Sequence, residues 1–152
     1  MIIRKNWKMQ SGKNIGKDRK RILIDSDVIL DFVFDREPFV EYSAKILNLC
    51  YLEKVSGFIT PIIFSNINDM IQNEKSRKDL KSILNDLIQI TDVVNFSKNS
   101  IREALNSDFN DFEDALQNFS AEQNKIDIIV TRNIKDYKHS NVPVMDPENF
   151  LK

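Results

Sequence analysis

Three groups of oxygen-bearing side chains stand out in this 152-residue chain. Asp25 follows directly on the branched aliphatic run Ile22-Leu23-Ile24. Asp111 and Asp114 lie three residues apart in Asn110-Asp111-Phe112-Glu113-Asp114-Ala115-Leu116. Thr131, Asn133 and Asp136 follow the apolar run Ile128-Ile129-Val130. Carboxylates and other oxygen donors suit hard cations such as Mg2+ or Mn2+, which keep several of their own waters. An ion held in this way acidifies water into a nucleophile and neutralises the charge that builds on a phosphoryl centre. The sole histidine, His139, and the sole cysteine, Cys50, are distant in sequence from these groups. That argues against a zinc centre and against a cysteine–histidine pair.

Each group also has a purely structural use. Asp25 can cap a helix, Asp111 followed by Asp114 has the form of a capping box, and Thr131–Asp136 can be an ordinary polar turn. Position favours chemistry for Asp25, because a charge set directly after three aliphatics is costly to bury unless something cationic meets it. Three-residue spacing puts Asp111 and Asp114 on one face of a helical first turn, where the helix dipole favours anions.

The elements that must position these residues follow from the apolar pattern. Arg21–Asp25 reads as a fully apolar strand, the signature of a central parallel strand covered on both faces. Ser26 is expected to cap a helix over Asp27–Phe34, and Pro38 to start another over Val40–Lys54 that Gly57 breaks. Phe58–Thr60 is a second strand and Pro61 opens the next helix. Ser76 caps a helix over Arg77–Ile88, and Ile90–Phe96 is a third strand. Ser97 caps a helix to Leu105, and Phe112–Asn124 is the helix after it. Ile126–Thr131 and Val142–Met145 are the last strands, with a terminal helical turn from Pro147. Strands alternating with helices predict βαβ units, parallel pairing and right-handed crossovers. In such sheets the site lies beyond the carboxyl ends of the strands, where the strand order reverses.

Bulk properties agree with one domain. Hydrophobic residues make up 41% and charged residues 30%, and only three glycines and four prolines occur, which favours helices with short connections. The absence of a long apolar run and of a secretory h-region makes a cytoplasmic protein without membrane association the expectation. The net charge of −1 conceals an asymmetry. Residues 1–21 carry eight basic side chains against Asp18, leaving 14 basic and 22 acidic residues in the body. We therefore divide the chain into a basic N-terminal extension, 1–20, and a domain over 21–152. The extension is either an arm for nucleic acid phosphates or a leader without function.

Taken together and in this order, three segments resemble the PIN-domain nucleases, specifically the VapC-type toxin ribonucleases. They are Ile22-Leu23-Ile24-Asp25-Ser26-Asp27-Val28-Ile29-Leu30-Asp31, Phe112-Glu113-Asp114-Ala115-Leu116-Gln117, and Ile129-Val130-Thr131-Arg132-Asn133-Ile134-Lys135-Asp136-Tyr137. Arg36-Glu37-Pro38-Phe39 matches the same group. The resemblance runs from Arg21 to about Leu151. It implies an α/β fold of three α/β/α layers, with a parallel sheet of about five strands in the order 3-2-1-4-5. It implies Mg2+- or Mn2+-dependent cleavage of RNA leaving 5′-phosphate ends, an antitoxin protein as partner, and a homodimer. Asp25 and Asp114 would be the principal metal ligands. Asn133 and Asp136 would complete the site with Asp111 nearby, while Thr131 and Ser26 support it. Arg132 and Lys135 would meet RNA phosphates.

One position departs from the family. An acid usually stands early in the helix after the second strand, and here Asn66 occupies that place. A neutral amide lowers the charge available to a cation. Asp111 is the expected compensation, and the alternative is a PIN fold that binds RNA or a partner without cutting. A rival of another reaction class starts from the same first segment. Asp25-Ser26-Asp27 also looks like the first motif of haloacid-dehalogenase-type phosphatases, with Asp25 as nucleophile and Asp27 as acid/base. Thr131-Arg132-Asn133 is a poor fit to the paired acid such enzymes need downstream.

Overall fold

The computed structural model describes residues 19–152. The basic extension lies outside the described residues, except Arg19 and Lys20. Five parallel strands form one sheet in the order β3-β2-β1-β4-β5, as expected. β1 (Arg21–Ile24) is central, pairing with β2 (Ser56–Ile59) on one side and β4 (Ile128–Val130) on the other. β3 (Thr91–Val93) and β5 (Val144–Met145) are the edges. All three residues of β4 and the last three of β1 are buried. This is why both strands read as unbroken apolar runs rather than alternating ones.

Helices α1 (Ser26–Val33), α2 (Val40–Tyr51), α3 (Pro61–Gln72) and α4 (Arg77–Ile90) link the first three strands. α1 packs on both α2 and α3, and α3 on α4. α5 (Lys98–Leu105) and α6 (Phe112–Gln123) pack chiefly on each other and connect β3 to β4. A 3-10 turn, Ile134–Tyr137, follows β4, and α7 (Pro147–Phe150) closes the chain. The strand order reverses between β1 and β4, so their carboxyl ends flank the place where such sheets carry function.

Three local readings are corrected. The cap of α1 is Asp25, not Ser26: Asp25 Oδ1 accepts from Ser26 N–H at 2.7 Å, and the helix starts one residue earlier than expected. Gly57 does not break α2 but lies inside β2. A Cβ at Gly57 would sit 2.6 Å from Cys50 Sγ and 3.3 Å from Thr91 Cγ2, so glycine is there for close packing. α2 ends instead at Tyr51, just before Glu53, whose φ of 54° turns the chain left-handed, with Lys54 N–H bonding back to Leu49 C=O. Ile90 ends α4 rather than starting a strand. Thr91 Oγ1 donates to Leu87 C=O at 2.7 Å, so helix passes into β3 without a loop.

Candidate active site

Asp25 is fixed from three directions at the carboxyl end of β1. Its own N–H donates to Val130 C=O at 3.0 Å, tying it to β4. Oδ1 takes the Ser26 N–H, and Oδ2 takes the Thr131 hydroxyl at 2.9 Å. Thr131 Oγ1 in turn accepts Asn133 N–H at 3.0 Å, so one hydroxyl joins the end of β1 to the turn after β4. Burial pushes the Asp25 carboxyl up, opposed by the hydrogen bonds from Ser26 and Thr131 and reinforced by the Glu113 charge. Each Asp25 oxygen has one protein donor, which leaves further lone pairs for a ligand.

Asp27, in the first turn of α1, accepts Arg132 N–H through Oδ2 at 3.0 Å, while its Oδ1 is buried without a partner among the described residues. Burial first, and the Asp25 charge second, push its carboxyl up to about 6. Asp114 enters from α6. Asp111 caps that helix, its Oδ1 accepting Asp114 N–H at 3.0 Å. Burial pushes Asp114 up to about 7, followed by the charges of Asp111, Asp25, Asp136 and Glu113. Asp136 sits exposed in the 3-10 turn. The structure thus gathers carboxylates from α1, α6 and the turn after β4 within electrostatic reach of one another.

A PIN-domain family model matches residues 21–135. The chain belongs to the PIN-domain family. No curated protein matches it in sequence. Its fold is similar to that of FitAB bound to a DNA fragment, with a TM-score of 0.66 and 15% identity over 83% of this chain and 94% of that one. VapBC2 from Rickettsia felis, bound to a promoter DNA fragment, gives a TM-score of 0.62 and 14% identity over 82% and 97% of the two chains. A toxin–antitoxin complex from Klebsiella pneumoniae gives 0.60 and 17% over 83% and 97%. The family and the three-layer fold expected from the three motifs are therefore borne out.

Within this PIN domain the expected site residues separate into two sets. Asp25, Asp114, Thr131, Asn133 and Asp136 gather at the carboxyl edge between β1 and β4. Arg132 is engaged within the protein: Nε pairs with Asp31 Oδ2 at 2.7 Å, Nη2 donates to Asp31 Oδ1 at 3.1 Å, and its carbon centre lies 4.3 Å over the Phe39 ring. Asp31 is fully buried. Burial lifts its carboxyl, and the guanidiniums of Arg132 and Arg36 oppose that lift. Lys135 is exposed on the turn beside the site. Asp27, which the phosphatase reading would use as acid/base, instead anchors the Arg132 backbone.

Glu113 was missed by sequence reasoning. Its Oε1 accepts the Asn66 side-chain amide at 2.6 Å, across 47 residues. The sole hint in the chain is that Glu113 adjoins Asp114.

The residues fit a hydrated divalent cation. Among the described residues no group of three or more His, Cys, Asp or Glu side chains is arranged to hold an ion unaided. Mg2+ asks for less, since one or two carboxylates suffice when water and substrate phosphate fill the remaining positions. Among the described residues, two buried polar atoms at this edge also lack a protein partner, Asp27 Oδ1 and Tyr137 Oη. Tyr137 is 3% exposed, and burial and then the charges of Asp25, Asp114, Asp27 and Glu113 push its phenol up.

Proposed function

We propose that this PIN domain is a Mg2+- or Mn2+-dependent endoribonuclease that hydrolyses RNA phosphodiesters, and that it is the toxin of a toxin–antitoxin pair. The single observation that carries the hydrolase reading is that Asp25 and Asp114, far apart in the chain, lie within electrostatic reach of each other, with Asp136 near them. Burial first, and the surrounding carboxylates second, hold Asp114 up near neutrality, in the way a site prepared for a cation is. The RNA substrate rests on the family resemblance. The antitoxin rests on the toxin–antitoxin assemblies among the structural neighbours.

In this reading Asp25 and Asp114 hold the ion, with Asp136 and Asn133 completing its surroundings directly or through water. When bound, the ion supplies Lewis-acid and water-activating chemistry. Thr131 fixes the rotamer of Asp25 by donating to Oδ2, and the Ser26 N–H fixes Oδ1. Asp111 sets the first turn of α6 and so the aim of Asp114. Lys135 offers a cation to the RNA backbone from the rim. Arg132 holds the turn after β4 in place through Asp31 and through its own N–H to Asp27.

The test is cleavage of a panel of structured and single-stranded RNAs, with DNA of matched sequence, in Mn2+, Mg2+ or EDTA. Wild type should cut RNA only with metal. Asp25→Asn and Asp114→Asn should each lose about a hundredfold or more, at least the upper range for disturbing a metal site. A second reading, a PIN fold that binds without cutting, is favoured by the neutral Asn66. Metal-independent RNA binding with no cleavage by wild type would establish it. Copurification of a small coexpressed partner that blocks cleavage is the expected sign of an antitoxin.

A further inference from the structure

We infer that Glu113 is a working acid of this site, aimed by the amide of Asn66, so that α3 contributes the positioning group and α6 contributes the charge. The inference rests on the metal-dependent reading above and names a ligand and its positioning residue within that site.

Three observations carry it. The first is the bond itself, Asn66 Nδ2 donating to Glu113 Oε1 at 2.6 Å between two half-buried side chains. Such a distance fits a charge-assisted bond to an ionised carboxylate. An acid at position 66 would place two carboxylates in contact, where both cannot stay ionised. A neutral donor at 66 is therefore the residue type that lets Glu113 keep its charge there.

The second observation is what the bond leaves free. Asn66 occupies one oxygen, and among the described residues Oε2 of Glu113 accepts no hydrogen bond from protein. A glutamate with one oxygen fixed and the other open is in the state expected of a ligand held by a neighbouring amide. The third is proximity. Glu113 neighbours Asp114 in the first turn of α6, and its charge reaches Asp25, Asp114 and Tyr137. Tyr137 Oη lies buried and unpartnered in that same field. It is a second polar group at this floor that protein leaves for water or ligand to satisfy. A surface tie between α3 and α6 would explain the bond, but neither the open oxygen nor the orphaned phenol.

The experiment is calorimetric titration of the full chain with Mn2+ alone, alongside thermal melting without metal. Glu113→Gln keeps an oxygen for Asn66 and removes only the charge. It should weaken Mn2+ binding about tenfold or more, with the melting temperature unchanged. Asn66→Ala frees the carboxylate and should weaken binding by a smaller factor, about threefold to tenfold. The exchange Asn66→Glu with Glu113→Gln returns a charge to the same place from α3 and should recover most of the lost affinity. Wild-type affinity in Glu113→Gln, with binding lost in Asp114→Asn, overturns this inference and leaves the metal reading standing. Failure of the exchange to recover affinity, in a chain that still melts normally, also overturns it. Absence of Mn2+ binding by wild type overturns both readings together.

Discussion

The two ends of strand β1 handle charge in opposite ways. At the amino end, among the described residues, Arg21 and Asp127 satisfy each other and their surroundings. Arg21 N–H donates to Asp127 Oδ2 at 2.7 Å, and its guanidinium donates to Asn124 and Lys125 carbonyls at 3.0 and 3.2 Å. These are free carbonyls at the end of α6, the negative pole of that helix. The same guanidinium lies 4.2 Å over the Phe58 ring. At the carboxyl end, four residues away, carboxylates face carboxylates, two buried polar atoms have no partner, and Asp27 and Asp114 are pushed up to about 6 and about 7. The guanidinium next to Thr131 in sequence, Arg132, is committed to Asp31. One strand thus joins an end that stabilises the fold to an end that is left electrostatically incomplete, the pattern expected of the candidate site.

Breaking the Asp31–Arg132 pair should have the largest effect. Arg132→Met keeps the apolar stem but strands a fully buried carboxylate beside Arg36, whose Nη1 is 3.7 Å away. We expect a loss of about 3 kcal/mol in urea denaturation, at the low end for a broken buried pair because Arg36 remains. Adding Asp31→Asn should restore part of that loss. A loss below about 1 kcal/mol would show that Arg132 is free to serve RNA after all.

Arg21→Ala attacks the satisfied end and should cost about 1–2 kcal/mol, from the α6 carbonyl bonds and the contact with Phe58. Because no site residue is touched, the specific activity of the folded fraction should be retained. Loss of activity at unchanged stability would mean that the two ends are coupled through β1.

The smallest effect has a sign that separates the ends. The folded-state value for Asp114 is about 7 against an ordinary 3.8. Between about pH 4 and 7 the folded chain holds a proton that the unfolded chain has released, so stability falls as pH rises through that window. Asp114→Asn removes this fall. After allowance for solvent screening of a half-buried group it should stabilise the protein by about 1 kcal/mol at pH 8 and by almost nothing at pH 4. Mn2+ competes with the same proton, so wild-type affinity for the metal should rise as pH climbs through 6 to 7. Melting curves of wild type and variant across pH check the first expectation, and titration across pH checks the second.

Much of the site was legible because its residues close strands or open helices. Asp25 is marked by Ile22-Leu23-Ile24 before it, Thr131 by Ile128-Ile129-Val130, and Asp114 by its place one turn from a capping acid. Asp111 shows how such a mark divides. The capping reading is correct for one oxygen, and the charge still acts on Asp114. Ser26 and Gly57 were misread for a local reason. Serine and aspartate are both good caps, and glycine ends helices as readily as it permits close strand packing. Choosing between those uses required knowing that Cys50 and Thr91 crowd Gly57 from other elements.

The sequence by itself determined the alternation of buried strands with capped helices, hence the parallel sheet and the edge where the candidate site is proposed. Those follow from periodicity and capping, which act over one or two turns of chain. Only the tertiary structure decided the pairing of residues far apart. Asn66 meets Glu113 across 47 positions, and Arg132 meets Asp31 across 101. A carboxylate looks the same in sequence whether a guanidinium neutralises it, an amide aims it, or other carboxylates surround it. Its neighbours in space set its charge and direction, and the crossovers of the sheet bring those neighbours together.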